Sequence, residues 1–285
     1  MRAVAGPGRW VWGLSGLVTL AVLAIPGARL IATAGEPGPG PQPMATVVRH
    51  VTVPQPVTSL TVQSSAGWVQ VAAGPVSRVR VTETIQYAYQ SGGPPAVTQS
   101  VSGGRLSLGD PACVTSDCLV NFAVTVPSGV AVTVATAGDP LTVSGVAGAN
   151  LNSDGGPVSA TRIGGPLTVT TGGGPLTLNG LTGPLYADTD GGTLIAGGVS
   201  AAKATVSTGG GPGQIAFSAA PASLRLSTDG GPLMLTVPGG PYALSAESDG
   251  GPQQVGIATD PAARVSITVN SGGGPLQVEP ASAPR

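Results

Sequence analysis

The chain has 285 residues, only 9% of them charged, and a net charge of −1, which removes the basic footprint that a nucleic-acid binder needs. Gly 46 and Pro 28 on their own describe a disordered polymer, but a 41% hydrophobic content rich in Val and Leu describes many short strands joined by tight turns. Aromatic residues make up 3%, so the core must be thin, layered and aliphatic, and Lys203 is the only lysine.

Residues 1–9 carry Arg2 and Arg9 without an acid, and Trp10 to Ile25 continues without a charge. A basic stub ahead of an apolar run keeps the N-terminus in the cytoplasm and exports the chain beyond the run. Residues 10–31 are long enough to cross a bilayer as a transmembrane anchor, with Arg29 snorkelling at the outer face. They equally fit a cleavable signal peptide that ends in the small-x-small run Ala32-Thr33-Ala34. Both readings export the remainder, either as a single-pass membrane protein with its C-terminal part outside or as a secreted chain starting after Ala34. Residues 32–44 form a Gly/Pro linker, extended and stiff.

Residues 45–128 read as a looser N-terminal β region. Val51 and Val53, Leu60 and Val62, Val69 and Val71, and Val79 and Val81 all alternate with polar residues. The only histidine, His50, reads as a solvated strand residue. Cys113 and Cys118 lie in and beside a short loop, and in an exported chain two such cysteines are expected to form a disulfide. A zinc site lacks companion ligands.

Residues 129–279 are a repeat, with a tail at 280–285. A small polar residue, then Asp or Gly, then Gly-Gly and usually Pro recurs seven times. The glycine pairs are Gly155-Gly156, Gly173-Gly174, Gly191-Gly192, Gly210-Gly211, Gly230-Gly231, Gly250-Gly251 and Gly273-Gly274, at steps of 18, 18, 19, 20, 20 and 23 residues. Weaker copies stand at Ala137-Gly138-Asp139-Pro140 and at Ser65-Ala66-Gly67-Trp68. Each step holds two alternating runs, such as Leu167 and Val169 before a turn and Leu176 and Leu178 after it, with threonines on the opposite face. Gly-Gly is expected to supply the positive φ of a tight turn, and the proline to start the next strand, where its missing N–H does least harm. One step buries too few side chains to offset the ordering of its backbone, so the units must stack. The predicted fold is therefore all-β: stacked short-strand repeats, solenoid-like or β-helix-like, behind an N-terminal transmembrane or signal helix. The residue before each glycine pair reads Asp154, Gly172, Asp190, Gly209, Asp229, Asp249, Gly272. Alternation of Asp with Gly keeps like charges apart, and the consecutive Asp229 and Asp249 break the rule.

The run Phe122 to Gly129, then Val130 to Val134, then Ala137 to Val143, resembles the Toastrack family, an adhesin-like bacterial domain of unknown function. The resemblance covers about residues 45–278, and the cysteine pair and N-terminal apolar segment are similar to its actinobacterial members. It implies a β-solenoid-like stack outside the membrane, a link to envelope-stress sensing, and no catalytic residues. Regular Gly-Gly-Pro departs from the family, whose members more often show one Gly and then an acidic or polar residue.

The chemistry needed by an enzyme is sparse. Between Pro140 and Pro275 the basic residues are Arg162, Lys203, Arg225 and Arg264, and the acids read as confined to turns and Glu247. Sugar stacking has only Tyr186, Phe217 and Tyr242 to draw on. Single Asp residues in some turns are too few for a calcium-binding roll, and no cofactor motif occurs. The sequence points to a non-enzymatic cell-surface module that binds an extracellular protein, glycan or lipid through its polar strand faces, with no nucleic acid as partner. The alternatives are an envelope-stress sensory or structural ectodomain working with a membrane partner, and a carbohydrate-active β-helix enzyme.

Overall fold

The computed structural model describes residues 44–88, 93–110 and 118–281, and Gln42–Arg285 forms one compact unit. The stub, the apolar segment 10–31, most of the linker, Cys113 and the last four residues lie outside the described residues. Among the described residues every regular element is a strand, and no helix is long and apolar enough to cross a membrane.

Seven strands open the chain: β1 Met44–Thr52, β2 Ser59–Ser64, β3 Val69–Ala73, β4 Arg80–Ala88, β5 Thr98–Ser102, β6 Arg105–Gly109 and β7 Cys118–Val126. From there the chain alternates between two sheets, one strand in each per rung. Sheet II receives β8 Ala131–Thr136, β10 Gly148–Ser153, β12 Leu167–Thr171, β14 Leu185–Thr189, β16 Lys203–Thr208, β18 Ser223–Thr228, β20 Ala243–Glu247 and β22 Ser266–Asn270. Sheet I receives β9 Leu141–Ser144, β11 Val158–Thr161, β13 Leu176–Asn179, β15 Leu194–Val199, β17 Gly213–Phe217, β19 Leu233–Val237, β21 Gln253–Val255 and β23 Leu276–Pro280. The strands on either side of a Gly-Gly turn therefore do not pair with each other. Each pairs in parallel with its counterpart in the next rung, as Leu167 with Leu185 and Leu176 with Leu194. Antiparallel pairing is confined to the opening region, where β4 joins β1 and β7 and β5 joins β6.

The period-2 pattern sets the interior. Leu167 and Val169 of sheet II and Leu176 and Leu178 of sheet I are all buried, facing one another between the sheets. In register they build columns, such as Val134, Leu151, Val169, Ala187, Val206, Leu226 and Val269 down sheet II. With strands about 4.8 Å apart, each column is a continuous aliphatic ladder. That is why the sequence needs so few aromatics.

The rungs do not stack in chain order. Sheet II runs β18-β22-β20 and sheet I runs β19-β23-β21, so the last rung of the chain is inserted beneath the one before it. At the other end β2 lies between β8 and β6, and β3 between β9 and β7. This corrects the apparent break in the turn charges. In space the turns read Asp154, Gly172, Asp190, Gly209, Asp229, Gly272, Asp249, because Gly272 sits between the two aspartates. Strict alternation holds, and it has a steric cause besides charge: a Cβ on Gly172 would lie 3.1 Å from the Asp154 carbonyl oxygen.

The two glycines of each pair do different jobs. The first has positive φ, from 100° at Gly250 to 138° at Gly155, while the second is absent from the positive-φ set. The second allows close approach between turns: a Cβ on Gly174 would lie 2.1 Å from the Gly156 carbonyl oxygen. The prolines at the starts of the sheet I strands end the ladder as acceptors, with Leu141 N–H donating to Pro157 O and Val158 N–H to Pro175 O, both at 2.9 Å.

The small polar residue before most of these turns is buried and clamps it. Thr208 Oγ1 donates to Gly211 O at 2.8 Å, Thr189 Oγ1 to Gly192 O at 3.1 Å, and Ser271 Oγ to Gly274 O at 2.6 Å. Thr171 Oγ1 occupies the same place, buried and without a partner. Thr208→Val is expected to lose about 1–2 kcal/mol by stranding the Gly211 carbonyl, and Thr171→Val to be neutral or stabilising. Urea unfolding of the two variants checks this, and equal losses would show that the hydroxyl bond is not the clamp.

Glu83 of β4 is buried, and the exposed Arg49 of β1 is its partner in register. Burial raises its pKa above the ordinary carboxylate value, and the Arg49 charge opposes that rise. A carboxyl whose folded pKa is raised contributes stability at low pH that is lost as pH climbs through the folded value. The melting temperature of Glu83→Gln minus that of the parent is therefore expected to increase as pH rises across that range. A gap that shrinks with pH would reverse the assignment.

Candidate functional site

The outward positions of sheet II form rows, since alternate residues leave the core and the register is unshifted along the stack. One row reads Thr61, Thr133, Asn150, Thr168, Tyr186, Thr205, Arg225, Thr268 and Ser245. Hydroxyls and amides predominate, interrupted by one aromatic ring and one guanidinium. Tyr186 is 46% exposed, whereas Phe217 and Tyr242 are buried. Of the three aromatics in the repeat region, only Tyr186 can stack on a ligand. Tyr242 turns its hydroxyl to Pro238 O, and desolvation raises its pKa.

The cations gather beside this ring. Thr205 pairs in register with Tyr186 on one side and with Arg225 on the other. Arg225 therefore stands two strands, about 10 Å, from Tyr186 along the row. Lys203 precedes Thr205 by two residues and leaves β16 on the same face, with its neighbour Ser223 on β18. Together Thr168, Tyr186, Lys203, Thr205, Ser223 and Arg225 line an open depression of about 280 Å³. Two of the four basic residues of the repeat region thus converge on its one exposed aromatic. Asp188 lies two residues beyond Tyr186 on the same face. It stands in a strand, which corrects the expectation that the acids apart from Glu247 keep to turns.

Sheet I presents a different outer face. Ile195, Gln214, Met234 and Gln277 alternate with exposed prolines at Pro212, Pro232 and Pro275 along a shallow apolar depression of about 260 Å³. Ile195 is the exposed large hydrophobic residue there.

Among the described residues no group of three or more His, Cys, Asp or Glu could hold a metal ion. The buried carboxylate Asp110 is structural. It accepts the Ser65 N–H at 2.6 Å and the Ser64 hydroxyl at 3.3 Å, holding the turn between β2 and β3. Burial raises its pKa, against the lowering effect of the N–H donors of Ser65 and Ala66. Asp139, in the weaker turn copy, accepts the Gly67 N–H at 2.9 Å, and Gly67 and Gly138 both have positive φ. His50 is exposed on β1, with its Nδ1 3.0 Å from Thr82 Oγ1. Cys118 opens β7, while Cys113, and with it the expected pairing, falls outside the described residues. The cluster of Tyr186, Lys203 and Arg225 was missed from sequence because its members are spread over 40 residues. The signal that finds it is the in-register count of outward positions from one Gly-Gly turn to the next.

No family model matches the sequence, and no curated protein matches it. Several solved structures are similar to the chain over most of its length. A "putative adhesin" from Parabacteroides distasonis is 14% identical, with a TM-score of 0.42 over 83% of this chain and 97% of that one. A "putative cell adhesion protein" from Clostridium sporogenes is 9% identical, with a TM-score of 0.29 over 83% and 100%. A "putative lipid binding protein" from Parabacteroides distasonis is 10% identical, with a TM-score of 0.37 over 83% and 97%. No functional reading rests on likenesses of this size.

Proposed function

We propose that the chain is an exported, non-enzymatic binding module of the cell surface that engages its ligand through the outer face of sheet II. The N-terminal apolar segment would hold it at the membrane. The observation that carries the reading is the row of outward groups, mostly hydroxyls and an amide, from Thr61 to Ser245, with a single exposed ring and one guanidinium in it. A flat array dominated by short, uncharged polar groups has many donors and acceptors and no group of perturbed acidity aimed at a common point, which is the chemistry of binding and not of bond cleavage.

The full-length chain is expected to bind immobilised envelope preparations saturably. Thr133→Arg with Thr168→Arg on sheet II is expected to abolish that binding by obstructing the face, and Thr177→Arg on sheet I to leave it intact. Equal loss from both would place the binding elsewhere. Turnover of a polysaccharide that disappears in Asp188→Asn would overturn the non-enzymatic reading.

A further inference from the structure

We infer that the depression around Tyr186 is a subsite for an acidic sugar, a pyranose bearing a carboxylate, as found in uronic-acid polysaccharides. The inference deepens the proposed binding function and rests on it. A pyranose ring has a flat C–H face and a rim of hydroxyls. Tyr186, 46% exposed in an otherwise hydroxyl-lined row, provides a ring for that face to lie on. Thr168 and Thr205 flank it in register on either side, each about 4.8 Å away, at the reach of ring hydroxyls. Lys203 and Arg225 stand beyond, and the depression of about 280 Å³ that all five line holds one sugar unit and not an extended chain segment.

Charge then selects among sugars. The exposed Lys203 and Arg225 bring two positive charges to one edge of the depression, in a chain whose net charge is −1 and whose only lysine is Lys203. Asp188 is on the same strand as Tyr186 but on the turn side, whereas Lys203 enters from the opposite end of its strand. Lys203 thus lies on the far side of the ring's level from the acid, and Arg225, level with the ring, stands two strands away from the strand that carries Asp188. A carboxylate on the sugar meets Arg225 in the planar, bidentate geometry that guanidinium favours, with Lys203 as a second point charge. A neutral sugar would gain only the stacking and hydroxyl contacts. A phospholipid headgroup would satisfy the cations but make no use of the ring, and the face around it is polar where acyl chains would lie.

The test is titration calorimetry on the full-length chain with oligogalacturonate, alginate and hyaluronate oligomers, against neutral galactan and dextran oligomers of equal length. At least one acidic oligomer is expected to bind tenfold or more tightly than the neutral ones, with affinity falling as salt is raised. Tyr186→Ala should weaken binding of acidic and neutral oligomers alike by tenfold or more. Lys203→Gln with Arg225→Gln should erase the preference for acid while leaving the weaker neutral binding. Ile195→Ser, on the other sheet, should change nothing. All four positions are on the surface, so an unchanged melting temperature separates lost binding from lost folding. Indifference of the wild type to the carboxylate, binding unaltered by both variants, or tight binding to phosphatidylserine vesicles that survives Tyr186→Ala would each overturn the subsite. Saturable envelope binding without acidic-sugar binding would remove the subsite and leave the proposed function. Absence of both would remove the two together.

Discussion

Gly192→Ala is expected to lower stability by about 3 kcal/mol or more, while Gly191→Ala next to it should cost about 1–2 kcal/mol. The two glycines differ in what they permit. Gly191 has a φ of 132°, so a side chain there strains one backbone position and meets only the Gly209 carbonyl oxygen at 3.6 Å. A Cβ on Gly192 would lie 2.1 Å from the Gly174 carbonyl oxygen and 2.7 Å from that of Gly173. Those atoms are backbone and cannot rotate away. Relief would require the two turns to separate, yet Asp190 N–H donates to Thr171 O at 3.1 Å and Leu176 N–H to Thr193 O at 2.8 Å across that same gap. At about 2–4 °C per kcal/mol for a domain of this size, the melting temperature should fall by roughly 6–12 °C. Indistinguishable melting curves for the two variants would mean that turn conformation, and not rung-to-rung contact, is what the repeat protects.

Much of the architecture is legible in the sequence because two local signals agree. Alternation in Leu167 and Val169 and in Leu176 and Leu178 defines strands, and the Gly-Gly period gives the number of stacked turns. What local signals miss is order in space. Nothing within the segment from Ser266 to Pro280 announces that it is inserted beneath the segment from Ala243 to Val255. The apparent fault at Asp229 and Asp249 was one trace of it, and Gln253, where most other rungs place an aliphatic residue, was another. The division of labour within each glycine pair was also hidden, because backbone approach between rungs depends on register that no single turn encodes. The functional face was half visible. Polar outward positions came from alternation, but the meeting of Tyr186, Lys203 and Arg225 required the column register of three rungs.

Hydrophobicity explains the inserted rung, and ending the chain after Ala262 tests that explanation. Strands β22 and β23 bury Ile267, Val269, Leu276 and Val278 almost completely. Strands β20 and β21 put Gln253 in register with Leu276, and leave Val255 39% exposed. A stack needs polar caps and apolar middles, so the poorer rung is placed outermost and the richer one beneath it, against chain order. If the order were that of the sequence, removal of the last rung would trim an end and cost little. Here it removes a layer bonded on both sides, from Leu224 to Ile267 and from Ile267 to Leu244. Should β20 and β21 slide into the gap, Gln253 would enter an aliphatic column, and Asp229 would stand about 4.8 Å from Asp249 in place of about twice that. Either way the truncated chain is expected to melt at least about 10 °C below the full one, an expected loss of several kcal/mol from four buried aliphatic side chains. The slid arrangement has its own signature: added salt should raise the melting temperature of the truncated chain by screening the two aspartates, with a smaller effect on the full chain. A truncated chain that melts within a few degrees of the parent would show that the inserted rung is an accident of connection and not the consequence of where its apolar side chains must lie.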